Sequence, residues 1–401
     1  MKIGLLTIQK SSNYGANLQS YALYNYLKQN GYSVQIIDLS RLEHKNYRKE
    51  KDYPLLSFSL KYYNHESIII TKYVLLRRLI KKIFLYIPSM FRKKIFSIKF
   101  DKDIKQRDKK FESFFKTMNF TKTFSTVSSL YETELDFTHY IVGSDQVWNP
   151  YINHALDPYF LSFVKNGKKI SYAASIGTEY ISKSVLGKIK KWLMSFSNIS
   201  VREEGAKQLL NSIGLNDVQV VVDPTLLLNK TDWDTITSDR IIQEDYLFYF
   251  GLTYSEDLFN LSKKIQQTKN LKLVYLCKDE NDYFKLKNKE ISVLVNVGIE
   301  DFLSLIKYSS FVITDSFHGS VFSIIFNKLF LVYIDEKRRN GSRIVNLLDL
   351  FDMNNRLVSN LNNIDLQSIM SRIEINQECD SDKFNIHLQQ SKEFLFRVLH
   401  E

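Results

Sequence analysis

The chain has 401 residues, 44% hydrophobic and 25% charged, which excludes a disordered or membrane-embedded protein and leaves room for two globular cores. Lys and Arg outnumber Asp and Glu by 55 to 44, so the formal net charge is +11 and anionic partners are favoured. The two cysteines, Cys277 and Cys379, are too few and too far apart for a disulfide framework or a cysteine-based zinc site.

The N-terminal Met1-Lys2-Ile3-Gly4-Leu5-Leu6-Thr7 enters a strand at once and lacks the order of a secretion signal, so a cytoplasmic protein is expected. Strands are predicted at Lys2–Ile8, Ser33–Asp38 and Tyr140–Val142, with a helix over Asn17–Asn30 carrying Leu18, Ala22, Leu23, Tyr26 and Leu27 at helical spacing. The segment Lys72–Lys102 mixes Arg77, Arg78, Lys81, Lys82, Arg92, Lys93 and Lys94 with apolar residues. Charges interrupt every apolar run short of a membrane span. The segment reads either as a helical insertion with a solvated basic face, the reading preferred here, or as a helix lying in an anionic membrane interface.

Further apolar runs at Ile170–Ile176, Ile199–Val201 and Val218–Val222 suit a buried parallel sheet. After Asp223-Pro224 the pattern restarts at Tyr246–Phe250, Leu271–Leu276, Ser292–Val295, Phe311–Thr314 and Leu329–Tyr333, with a helix at Glu300–Tyr308 and a last one at Leu388–His400. The expected organisation is an N-terminal Rossmann-like domain over 1–235 with a basic helical insertion at about 45–125, a C-terminal Rossmann-like domain over 236–385, and a C-terminal helix over 386–401.

Four clusters stand at strand ends, where open α/β sheets bind ligands. The first runs from Ser11 through Asn13, Tyr14, Gly15 and Asn17 to Gln19, and its helix start offers free N–H groups to a phosphate or carboxylate. The same residues fit a capped helix with Asn13 in the turn. The second, Gly143-Ser144-Asp145-Gln146-Val147-Trp148-Asn149-Pro150, offers Asp145 as proton acceptor and Trp148 as a face for a sugar, against a turn capped by Asp145 and Asn149 with Trp148 in the core. The third places Arg202 where it either grips an anion with two parallel hydrogen bonds or pairs with Glu203 or Asp223.

The fourth is Thr314-Asp315-Ser316-Phe317-His318-Gly319-Ser320, predicted to open a helix over Val321–Asn327. His318 at a helix start is suited to exchange a proton with a bound anion, and Gly319 clears space beside it. No partner His lies at metal-binding spacing, so no metal is expected. In the basic loop Lys337-Arg338-Arg339-Asn340-Gly341-Ser342-Arg343, Arg343 leads a helix with Ile344, Leu347 and Leu348 toward a core, which fits a ligand-closing role. The basic residues otherwise scatter and form no recognised module, so nucleic acid is not an expected partner.

Taken together, these motifs resemble the polysaccharide pyruvyltransferase family. The carriers are Gly4-Leu5-Leu6-Thr7, Asn13-Tyr14-Gly15-Ala16, Leu18-Gln19-Ser20-Tyr21-Ala22-Leu23, Val142 to Asn149, Tyr172-Ala173-Ala174-Ser175-Ile176-Gly177, Ser200-Val201-Arg202-Glu203, Val222-Asp223-Pro224-Thr225 and Thr314 to Ser320. The resemblance implies a GT-B-like fold of two Rossmann-like domains across a cleft, and transfer of a pyruvyl group from phosphoenolpyruvate to two sugar hydroxyls, forming a cyclic ketal. It makes phosphoenolpyruvate a co-substrate with no cofactor, and the acceptor an oligosaccharide or lipid-linked glycan of a cell-surface polysaccharide; peripheral contact at the inner face of the plasma membrane is the option that the basic segment Lys72–Lys102 adds.

By the same resemblance Arg202 holds the donor's carboxylate or phosphate and His318 contacts the donor as acid or base; from their places in the chain Ser316, Gly319, Ser320 and Arg343 are further candidate donor contacts, and Asp145 or Asp315 is the candidate counterpart of His318. Asn13, Tyr14, Gly15, Asn17, Gln19, Ser144, Gln146, Trp148 and Asn149 are the expected acceptor or ligand contacts. Family members carry Arg two residues before this His, where the present chain has Ser316, so either Arg343 or Arg339 supplies the missing cation or the donor differs. Two other functions remain open on the residues alone: a GT-B-type glycosyltransferase using a nucleotide sugar, and a non-catalytic glycan-binding or assembly protein.

Overall fold

The computed structural model describes residues 1–41, 90–152, 156–178, 181–252, 254–334, 341–359 and 381–401, with residues 367, 370, 371 and 373. Part of the basic insertion, including Arg77, Arg78, Lys81 and Lys82, lies outside the described residues, as do Lys337, Arg338, Arg339 and Asn340.

Strand β1 (Lys2–Leu6) carries Ile3, Leu5 and Leu6 with no exposed surface, the two-sided burial that a central parallel strand requires. It is followed by α1 (Tyr14–Gln29) and β2 (Ser33–Ile36). With β3 (His139–Val142) and β4 (Lys168–Ser171) these strands form a parallel sheet in the order β2-β1-β3-β4. Helix α2 (Asp101–Phe115) lies in the chain between β2 and β3. Two further strands, β5 (Ile199–Val201) and β6 (Val218–Val220), pair with each other. Side chains stitch β5 to β4: Ser200 N donates to Ser171 Oγ at 2.9 Å, Ser171 Oγ to Ser200 O at 2.9 Å, and Ser200 Oγ to Ser171 O at 2.8 Å. Both serines are fully buried, so their hydroxyls satisfy backbone groups that a regular ladder would otherwise pair.

After α3 (Glu204–Asn211) and β6, a second sheet is built from β7 (Tyr246–Phe250), β8 (Lys272–Leu276), β9 (Ser292–Leu294), β10 (Phe311–Thr314), β11 (Phe330–Tyr333) and β12 (Leu357–Val358). Its order, β12-β11-β10-β7-β8-β9, is the doubly wound one, reversing direction between β7 and β10; the first sheet reverses between β1 and β3. Ligand crevices form at such reversals, outside the C-terminal strand ends. Helices α4 (Ile299–Lys307), α5 (Phe317–Ile325) and α6 (Ser342–Leu350) flank the second sheet. The final helix α7 (Asp382–His400) returns to the first half, where Ser391 Oγ accepts from Val222 N at 3.0 Å and Phe394 packs near Tyr172.

Several elements differ from expectation. The strand predicted to reach Ile176 stops at Ser171, before Ala173 takes a positive φ of 51°. Helix α5 starts four residues earlier than predicted, because Ser316 caps it, and this puts His318 inside the first turn. The two-residue β12 carries no sequence pattern long enough to read.

Aromatic contacts join the halves. Tyr14, at the start of α1, stacks on Phe302 of α4 with centroids 5.0 Å apart and donates its hydroxyl to Val297 O at 2.8 Å. Trp233 sits edge-on to Phe322 of α5 at 4.8 Å and packs against Tyr21 of α1. From α2, Lys110 reaches Asp301 of α4 at 2.6 Å. Tyr14→Phe leaves the Val297 carbonyl buried without its donor and is expected to cost about 1–3 kcal/mol, whereas Tyr14→Ala also removes the packing and costs about 3–5 kcal/mol. Equilibrium urea unfolding measures both.

Candidate active site

Four strand ends converge. Arg202 follows β5, Asp223 follows β6, Ser144 and Asp145 follow β3, and His318 comes from the first turn of α5, after β10. Only the last belongs to the second half. All four charged or titratable side chains are buried, with Arg202 8%, Asp223 2%, Asp145 8% and His318 6% exposed.

Asp223 is the centre of the cluster. Its Oδ2 accepts from Arg202 Nη1 at 2.7 Å and Ser144 Oγ at 3.2 Å, and stands 3.7 Å from His318 Nε2. Its Oδ1 accepts from Thr225 N at 3.0 Å and Thr225 Oγ1 at 2.6 Å, the cap of the short turn opened by Pro224. Burial alone would favour the neutral acid, but His318, Arg202 and Thr225 outweigh it and hold the Asp223 carboxyl far below the usual range. Arg202 loses solvation too, yet Asp223, Asp145 and Glu203 raise its pKa. Its guanidinium lies 3.5 Å from Asp145, 3.8 Å from Glu203 and 4.6 Å from the ring centre of Phe317, a residue of the opposite half.

The second half answers with Arg343, at the start of α6. Gln146 and Arg343 meet across the halves; with the Gln146 amide turned so that its oxygen faces the guanidinium, that oxygen accepts from Nη1 and Nη2 at 3.2 and 3.0 Å. Burial and the neighbouring Arg202 depress the pKa of Arg343. A cleft of about 460 Å³ opens beside Arg202, Asp223, Phe317 and Arg343, and α7 contributes Lys383 and His387 to its wall. Unpartnered buried polar atoms gather at this point: Arg202 Nε and Nη2, Arg343 Nε, His318 Nε2 and Glu203 Oε2 lack hydrogen-bond partners. Such a concentration is abnormal in a folded interior and marks a place for a ligand.

Other expected contacts serve the scaffold. Trp148 is fully buried, stacked on Phe160 with Nε1 donating to Tyr159 O at 2.8 Å, so it presents no face to a sugar. Tyr14 is enclosed between the halves, as described above. The amide of Gln19 is consumed by Ser144 N, Thr7 Oγ1, Ile8 O and Ala16 O, fixing the turn whose Gly143–Ser144 peptide is cis. Asn17 ties Ser11 and Asn13, and Asn13 caps α1 through Gly15 N, so that helix start has one amide already engaged. Asn149 accepts from Tyr151 N at 2.9 Å.

In the second half, the Ser316 hydroxyl caps α5 by accepting from Gly319 N, and Ser320 Oγ donates to Ser316 O at 3.0 Å; both bonds are internal to the helix start. Gly319 permits close packing on Thr314 and Phe250. Asp315 accepts from Leu252 N at 2.6 Å and lines a small pocket with Phe317 and Arg343. Gly15 acts differently from expectation: a Cβ there would lie 2.1 Å from His318 Nδ1, so the missing side chain admits the imidazole rather than an anion.

The expected pairing of Arg202 with Asp223 is present, and what the sequence does not show is Asp223 as the hub of the cluster and Glu203 as a brace; the Glu203 Oε1 accepts from Ser175 Oγ, Ile176 N and Gly177 N at 2.8, 2.9 and 3.1 Å. The signal was present in the adjacency of Arg202-Glu203 and in Asp223-Pro224-Thr225, but pairing across the chain was needed to read it. Among the described residues, no group of three or more His, Cys, Asp or Glu could hold a metal ion.

Removing the Asp223 charge leaves Arg202 under-compensated in a buried site, so Asp223→Asn is expected to destabilise the fold by about 3–5 kcal/mol. Because its folded pKa is depressed, the carboxylate contributes stability fully above the ordinary aspartate range near pH 4 and loses it as the pH falls below. Urea unfolding across acid pH should show a steeper loss for the wild type than for Asp223→Asn.

The molecule is similar in fold to UDP-GlcNAc 2-epimerase from Methanocaldococcus jannaschii, with TM-score 0.50 and 14% identity over 100% of this chain and 99% of that one. UDP-N-acetylglucosamine 2-epimerase from Rickettsia bellii gives TM-score 0.52 and 11% identity over 100% and 96%. The Neisseria meningitidis enzyme, solved with UDP-GlcNAc, gives 0.51 and 11% over 100% of both chains. The architecture is GT-B-like, as expected. No curated protein matches significantly in sequence. The family model of polysaccharide pyruvyl transferase matches residues 13–334, spanning the strand ends that hold Arg202, Asp223 and His318, and the chain belongs to that family of transferases.

Proposed function

We propose that the chain transfers a pyruvyl group from phosphoenolpyruvate to two hydroxyls of a sugar, in the assembly of a cell-surface polysaccharide or its lipid-linked precursor. One observation carries the donor assignment. Two guanidiniums from opposite halves, Arg202 and Arg343, line one cleft with Asp223 and Phe317, and both keep buried N–H groups without a hydrogen-bond acceptor. Asp223, Asp145 and Glu203 balance the charge of Arg202, and the N–H groups left over can take the oxygens of a bound anion. Phosphoenolpyruvate brings two anionic groups, and Arg343 takes the part of the cation absent at Ser316.

In the proposed reaction, His318 gives a proton to the methylene carbon of the donor, and the first sugar hydroxyl adds to the neighbouring carbon as its own proton passes to Asp145. The second hydroxyl then displaces phosphate, which departs with that hydroxyl's proton. The proton held by Asp145 then passes to His318 and restores the pair, so that of the two hydroxyl protons one ends on carbon and one on phosphate. Asp145 takes the base role because it stands in the cluster, 3.5 Å from Arg202, whereas Asp315 already accepts from the Leu252 amide. A cavity of about 710 Å³ beside Ser11, Ser12 and Tyr14 supports an acceptor on the other side of the β1–α1 loop. Phe111, Phe115 and Phe120 offer apolar faces there, and Ser40 and Thr123 offer hydroxyls.

Purified protein incubated with phosphoenolpyruvate and candidate glycans should release phosphate. His318→Gln is expected to lower kcat by about 10²–10⁴-fold, and Gly15→Ala to act in the same direction by expelling the imidazole. Phosphoenolpyruvate should raise the thermal midpoint of the wild type and much less that of Arg343→Ala. Stabilisation by a nucleotide sugar with none by phosphoenolpyruvate would transfer the assignment to glycosyl transfer.

A further inference from the structure

Residues 90–99 form a helix ahead of α2 that is held to the second half by one face only. Phe96 is 5% exposed and packs against Tyr283 with Phe100, while Lys99 lies over the Tyr283 ring. A second stripe of the same helix is exposed. Phe91, Ile95 and Ile98, spaced four and three residues apart, fall on one helical stripe and are 65%, 51% and 69% exposed. Met90 beside them is 55% exposed. The stretch 90–100 contains four cations, Arg92, Lys93, Lys94 and Lys99, and no Asp or Glu. Isolated apolar residues on a surface are ordinary, but three in register, flanked by Lys94 on one side and on the other by Arg92, whose guanidinium lies 5.9 Å from the ring centre of Phe284, with no Asp or Glu in the stretch, are a directed feature.

We propose that this stripe docks the protein on an anionic lipid surface, with Phe91, Ile95 and Ile98 in the interface and Arg92 and Lys94 at the level of the headgroups. An interfacial helix requires an apolar face, a cationic border and no spanning length. No described helix is long and apolar enough to cross a membrane, so the contact is peripheral. An acidic protein partner would match the cations but would not need the bare stripe, and a second copy of this chain would set cation against cation. The inference rests on this surface alone and is independent of which group the enzyme transfers.

The test is co-sedimentation of the full chain with vesicles of phosphatidylcholine alone or mixed with phosphatidylglycerol. Expected are binding to the mixed vesicles, weak binding to the neutral ones, and loss of binding as salt rises. Phe91→Ser, Ile95→Ser and Ile98→Ser together should lower partitioning by at least about tenfold, and Arg92→Gln with Lys94→Gln by about tenfold. Because these side chains are exposed, the variants should keep the wild-type thermal midpoint and phosphate release with a soluble acceptor. Equal binding to neutral and anionic vesicles, or undiminished binding by the folded triple variant, overturns the proposal. So does a wild-type dimer in gel filtration that the triple substitution dissociates, which would assign the stripe to a chain–chain contact.

Discussion

A single buried carboxylate, Asp223, sets the conditions for the rest of the structure. Arg202 binds it within the first half, and His318 approaches it from the second. Isolated in an interior, any of these charges would cost several kcal/mol, and the arrangement is tolerable only while the halves remain together. The site and the relative placement of the halves are therefore one constraint. The apolar contacts of Tyr14 and Trp233 supply cohesion, but they carry no direction; the carboxylate fixes which imidazole and which guanidinium share the space.

The same constraint explains details that look unrelated. Gly15 lacks a side chain because the imidazole occupies that place, and Gly143, at φ 123°, lacks one because a Cβ would strike Tyr172 O at 2.1 Å. Gln19 holds the Ser144 amide, and Ser144 in turn donates to Asp223. A chain of hydrogen bonds thus runs from Thr7 at the end of β1 to the hub, so movement of either partner would be felt at both sheet reversals.

What the sequence reveals about this site follows from range. Arg202, Asp145 and His318 are legible because a buried parallel strand announces its C-terminal end, and that end is where functional groups collect. The GT-B-like architecture is legible for the same reason, through strand runs that restart after Asp223-Pro224. Trp148 and Tyr14 deceive because an aromatic residue beside a polar turn looks alike whether its ring faces a sugar or a neighbouring ring such as Phe160 or Phe302. For Trp148 the deciding ring lies a dozen residues on in the same half, whereas Tyr14 lies almost three hundred residues from its acceptor Val297. Asp223 is legible as a partner for Arg202 but not as the hub, because its further partners are set by tertiary packing.

The charge balance of the site adds a last step. Two guanidiniums, Arg202 and Arg343, meet three carboxylates, Asp145, Glu203 and Asp223, so the cluster carries one formal negative charge when His318 is neutral and none when it is protonated. Glu203 is largely neutralised locally by two backbone amides and a hydroxyl. The N–H groups of Arg202 and Arg343 that lack hydrogen-bond acceptors are the part of the cluster left to meet an anion, and the three carboxylates set how much positive charge those groups present.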